Sequence, residues 1–94
     1  MWLIHLVWKE GIAEHIARHH VDPFEVDEVS FSDGRRMFKV GRNKDGSYRY
    51  RMCGTTDEGR YLLAYLDHYV GTKYEVVTAR EMNEDEKRWY RVHL

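Results

Sequence analysis

Gly59-Arg60-Tyr61-Leu62-Leu63-Ala64-Tyr65-Leu66 and, further on, Thr78-Ala79-Arg80-Glu81-Met82-Asn83-Glu84-Asp85-Glu86-Lys87-Arg88-Trp89-Tyr90 decide how this chain folds. They read as two strands and a capped helix. The strands are expected over Arg60–Asp67 and Lys73–Ala79, turning near Tyr69-Val70-Gly71. Asn83 then stands where a helix cap is needed, and Glu86 three residues on completes a capping box. Acids fill the first turn and Lys87, Arg88 and Arg91 follow, the polarity that the helix dipole favours.

An arginine sits at the far end of each strand. If Leu66 faces Tyr74, then Ala64 faces Val76, Leu62 faces Thr78 and Arg60 faces Arg80. Like charges directly opposite one another destabilise a sheet unless something negative lies between them. One reading is a phosphate clamp, since the planar guanidinium fork suits phosphate oxygens. The other is that each arginine pairs with an acid such as Glu58 or Glu81.

Working outward, residues 2–7 read as a short strand and Gly11–His20 as a helix, with Ile12 and Ile16 one turn apart. Asp22 is a good N-cap, Pro23 suits the first helical position, and Glu25 can close a box. Val21 and Val26 have the spacing of a hydrophobic staple, so a second helix runs to about Val29 or Phe31. Met37–Val40 and Tyr48–Cys53 read as strands around an Asn43–Gly46 turn. The second alternates Tyr48, Tyr50 and Met52 with Arg49, Arg51 and Cys53. The order is β-α-α-β-β-β-β-α, which predicts an α+β domain: one antiparallel sheet with helices on one side. The 94 residues suit a single domain over 1–94.

The net charge of −1 hides an asymmetry. Residues 9–33 carry two bases against seven acids, and residues 35–60 carry eight bases against three acids. A basic middle attracts a polyanion or an acidic partner, or it pairs with the acidic helices of the same molecule. The single cysteine, Cys53, excludes an internal disulfide and a C-x-x-C zinc site. The apolar start, interrupted by Lys9 and Glu10, is too short for a membrane span and lacks signal-peptide features. A cytoplasmic protein with no membrane partner is expected. Glycine-rich phosphate loops and nucleophile elbows are absent, so no nucleotide cofactor or serine nucleophile is expected.

Two further constellations carry chemistry. His15 and His19 share a helical face, a spacing that suits a zinc ion, a solvated pair, or a proton carrier at His19 beside Arg18. No third ligand is evident, so no metal is expected. Tyr48, Tyr50, Tyr61, Tyr65 and Tyr74 either stack bases or fill core and interface positions.

Taken in order, Trp8, Arg18-His19-His20-Val21-Asp22-Pro23-Phe24-Glu25-Val26, Gly59-Arg60-Tyr61-Leu62-Leu63, Val77-Thr78-Ala79-Arg80 and Glu86-Lys87-Arg88-Trp89-Tyr90 resemble BrnT-type toxins of bacterial type II toxin–antitoxin systems. The resemblance spans most of the chain apart from residues 30–47. It departs at Trp8-Lys9-Glu10-Gly11, where the family often has Trp-Asp followed by a lysine, and in its sequence pI of 6.6 where such toxins are often basic. The resemblance implies a RelE-like fold and a cofactor-free, metal-independent endoribonuclease. In such an enzyme the ribose 2′-hydroxyl attacks the neighbouring phosphate, and a cognate antitoxin protein folds against the toxin. It also implies His19 for proton transfer, Arg60 with Arg80 for the phosphate, and Tyr90 as a fourth catalytic candidate. Arg18, Arg49 and Arg51 are the candidates to hold RNA. A non-catalytic protein- or RNA-binding module on the same scaffold is the alternative, and self-association is left open.

Overall fold

The computed structural model describes residues 3–93. Its elements are β1 (His5–Val7), α1 (Ile12–Ala17), α2 (Pro23–Phe31), β2 (Arg36–Arg42), β3 (Tyr48–Thr55), β4 (Tyr61–Val70), β5 (Lys73–Glu81) and α3 (Glu84–Val92). They make an α+β fold with a five-stranded mixed sheet and three helices. The strand expected over 2–7 is confined to His5–Val7, and its residue 2 lies outside the described residues.

The sheet order is β1-β5-β4-β3-β2. Sequential hairpins make β2 to β5 antiparallel, as expected. The expectation of a wholly antiparallel sheet is corrected at one edge, where β1 runs parallel to β5, with Leu6 opposite Tyr74. Parallel neighbours need a long crossover, and here everything from α1 to β4 lies between them. Nothing local in a three-residue strand encodes the direction of so distant a partner.

The helices cover both faces of the sheet, correcting the expectation of helices on one side. Ile16 of α1 and Val26 and Val29 of α2 share a buried cluster with Met52, Leu62, Ala64, Leu66 and Val76. Tyr90 of α3 shares a second cluster with Cys53, Leu63 and Met82. Consecutive residues of β4, Leu62, Leu63 and Ala64, are all buried, the mark of a central strand covered on both faces.

Local signals account for the helix boundaries. Pro23 opens α2, and the Glu25 carboxylate accepts the Asp22 backbone N–H at 3.1 Å. Val21 and Val26 both lie in the first cluster, as the staple requires. Asn83 Oδ1 accepts the Glu86 N–H at 2.8 Å while the Glu86 carboxylate accepts the Asn83 N–H at 2.9 Å. α1 stops at Ala17, short of the expected His20, and His20 takes a left-handed φ of 61° that reverses the chain.

Candidate functional site

The β4–β5 register decides where the two arginines go. The turn tightens to Gly71-Thr72, with Val70 opposite Lys73, and irregularities fall at Tyr65/Leu66 and His68/Val70. Leu66 therefore faces Val76, Leu63 faces Arg80 and Leu62 faces Glu81. Arg60 precedes β4 and does not face Arg80, which corrects the like-charge pairing expected from simple alternation. Leu62 belongs to the cluster under α1 and α2, and Leu63 to the cluster under α3. Arg60 accordingly turns to α2 and Arg80 to α3, on opposite faces of the sheet.

Each arginine is held by the glutamate that closes a capping box. Arg60 Nη1 donates to both Glu25 carboxylate oxygens at 2.8 and 2.9 Å, and its Nε donates to Glu81 at 2.9 Å. Burial resists ionisation of Glu25, but the Asp22 N–H and the Arg60 guanidinium outweigh it and hold the carboxyl below its usual range. Arg80 Nη1 and Nη2 donate to the two Glu86 oxygens at 2.7 and 2.9 Å. The Arg80 hydrogen bonds hold the Glu86 carboxyl low against partial burial, and the Asn83 N–H and the charges of Arg80 and Arg51 add to this. Acid partners were the alternative to a clamp, and Glu81 is one of them. A capping box gives Glu25 and Glu86 a local role in the sequence and carries no mark of a distant arginine partner.

The remaining sequence candidates are dispersed. Arg49 forms a two-bond pair with Asp67, at 2.8 and 3.1 Å. The Tyr90 hydroxyl is spent inside the fold, donating to the Gly34 carbonyl at 2.6 Å, and burial pushes its phenol pKa up. Arg18 and His19 are exposed at the end of α1, whose Ile16 packs on the other face from α3. His15 Nε2 and Thr78 Oγ1 are within hydrogen-bond distance at 2.9 Å, and the His15 and His19 rings meet edge to face at 5.4 Å. Among the described residues no three His, Cys, Asp or Glu side chains gather as a metal site. Of the tyrosines, Tyr74 is buried against Tyr50 and His68, and Tyr61 lies against Tyr90.

Arg51 lines a cavity. A cleft of about 340 Å³ opens between the sheet and α3, lined by Arg51, Cys53, Leu63, Met82, Asp85, Glu86 and Trp89. Its floor is apolar, with Cys53, Leu63 and Met82 buried. Burial pushes the Cys53 thiol up to about 11, so it sits there as a neutral apolar group. The Arg51 guanidinium lies 5.4 Å from the centre of the Trp89 ring. Trp89 is fixed in turn by Phe38 edge-on at 4.9 Å and His93 stacked at 4.3 Å. Arg51 Nε is buried and has no hydrogen-bond partner. A buried donor without an acceptor is a rare and costly feature, and a ligand acceptor would remove the cost. Glu86 on the cleft wall is bonded to Arg80, which does not itself line the cleft. Alternation along β3 puts Arg51 on this face, but the sequence had no signal for the cleft itself, which α3 creates by packing across Leu63 and Cys53.

No family model matches this chain, and no curated protein matches it. Among the described residues no helix is long and apolar enough to cross a membrane.

Proposed function

We propose that this chain is an RNA-binding protein of the BrnT toxin type on a RelE-like scaffold, engaging single-stranded RNA through the α3-side cleft, with a cognate antitoxin as its protein partner. The observation that carries this reading is Arg51, a guanidinium on the wall of an apolar-floored cleft, one of whose donors, Nε, no acceptor satisfies. Such a site takes an anionic ligand with a flat apolar body, and an unstacked nucleotide has both properties. Element order and the long hairpin support the scaffold assignment. Charge supports the polyanion: residues 35–60 carry eight bases against three acids.

RNA cleavage is the second reading. What favours it is a carboxylate, Glu86, bonded to one arginine and under the charge of another. Removal of the hydroxyl proton, a proton for the departing 5′ oxygen and cations on the crowded phosphate are what 2′-hydroxyl attack requires without a metal. In this reading Glu86 takes the hydroxyl proton and returns it to the departing 5′ oxygen in place of His19, and Arg51 joins Arg80 at the phosphate in place of Arg60, with Tyr90 left in the core.

The test is one series with purified protein and end-labelled single-stranded RNA in EDTA. Binding should weaken in Arg51→Ala and Arg80→Ala at matched salt. Absence of binding by folded protein would falsify the first reading. Binding without strand scission leaves the module and removes the nuclease. Scission that Glu86→Gln does not slow removes Glu86 as its base.

A further inference from the structure

We infer that the cleft between the sheet and α3 is a guanine-selective subsite, an inference that rests on the RNA-binding reading and gives that site a base preference. The cavity of about 340 Å³ has buried Cys53, Leu63 and Met82 as an apolar floor against which a ring can lie. The polar demand comes from Arg51, whose Nε has no acceptor. Trp89 holds the guanidinium beside its ring, which limits how the fork can turn. A guanidinium fork on a cleft wall selects two adjacent acceptors on a flat edge.

Guanine offers that edge, because O6 and N7 are both acceptors. Adenine places an amino group beside N7, so a donor would meet a donor. Cytosine also presents an amino group, and uracil presents a lone O4 without the second acceptor. The opposite edge of guanine carries N–H donors, and the lip of the cleft supplies carboxylates to receive them. Asp85 is the one to receive them, because its partner Arg88 is an exposed neighbour one turn along the helix and that pair is readily exchanged. Glu86 stays with Arg80.

Equilibrium dialysis of the full chain against guanosine, adenosine, uridine and cytidine 5′-monophosphates tests this directly. The guanosine nucleotide should bind roughly tenfold tighter than the adenosine one. Arg51→Lys, which keeps the charge and loses the fork, should remove the preference, and Arg51→Ala should do the same. Removing an unsatisfied buried donor should leave the melting temperature of either variant equal or higher. Equal affinity for all four nucleotides, no binding of the guanosine nucleotide at millimolar concentration, or a preference that survives both variants overturns the inference. An oligouridylate control separates the two levels. If it binds as tightly as a guanine-containing oligomer, the subsite is wrong and RNA binding stands. If neither oligomer binds but the guanosine nucleotide does, the subsite stands and the RNA reading falls.

Discussion

Two oxygens of Glu86 satisfy three donors. One accepts the Asn83 N–H and Arg80 Nη1, and the other accepts Arg80 Nη2. The residue therefore caps α3 and masks Arg80 at once. Glu86→Ala loses both roles and should destabilise the fold by about 1–2 kcal/mol, read from urea unfolding. Glu86→Gln keeps a carbonyl oxygen for the cap and loses the charge, so it should cost less. It should also unmask Arg80, tightening RNA binding several-fold and steepening its salt dependence by about 0.7 per phosphate gained. Unchanged affinity in Glu86→Gln would mean that Arg80 does not meet RNA. Tyr90 separates a structural from a catalytic role in the same way. Tyr90→Phe strands the Gly34 carbonyl and should cost about 1–2 kcal/mol in stability while any RNA cleavage persists. Lost cleavage with unchanged stability would return Tyr90 to the catalytic set.

Among elements, α2 packs closely on β3, and a glycine makes this possible. A Cβ on Gly54 would stand 2.9 Å from Val29 Cγ1 and 3.2 Å from Ser32 Oγ. Gly54→Ala should therefore lower stability by about 1–3 kcal/mol through overpacking. Combining it with Val29→Ala should cost less than the sum of the two single changes, since the second makes room for the first. A fully additive pair would show that the contact is not where the strain lies. The strands teach a related lesson. Alternation placed β3 and β4 well, because apolar and polar residues take turns along Tyr48–Cys53 and a solid apolar run marks Leu62–Ala64. It failed on the β4–β5 register. The irregularities at Tyr65/Leu66 and His68/Val70 displace the pairing, and residue periodicity carries no mark of an inserted residue.

For the whole molecule, charge is arranged so that stability depends on carboxylates staying ionised. Arg49 holds Asp67 low despite partial burial, Arg80 holds Glu86 low, and Glu25 is held low once the Asp22 N–H and Arg60 overcome its burial. Each folded-state pKa lies below the unfolded one. Their stabilisation is therefore complete above the usual carboxylate range and is lost as pH falls through the lowered values. Asp27 works in the opposite direction, because burial raises its pKa, with the Trp8 hydrogen bond opposing, so its protonation favours the fold. Four lowered carboxyls, Glu25, Asp45, Asp67 and Glu86, against two raised ones, Asp27 and Glu28, predict a melting temperature that falls as pH drops below the usual carboxylate range. Arg60→Gln should start lower at pH 7 and fall less steeply, because Glu25 then loses its guanidinium. Parallel pH profiles for the two proteins would refute the assigned role of Arg60–Glu25.

The sequence by itself determined the element order, both capping boxes, the staple of Val21 and Val26, and the α+β class. These rest on contacts within a few residues or on a fixed period, so they are written locally. Only the tertiary structure decided that β1 runs parallel to β5, that Arg60 and Arg80 lie on opposite faces, and that Arg51 looks into a cleft roofed by α3. Those depend on strand direction, on bulged register and on a helix folding back across the sheet. Each is set by burial of both faces of β4 at once, a condition that no single segment of the chain contains.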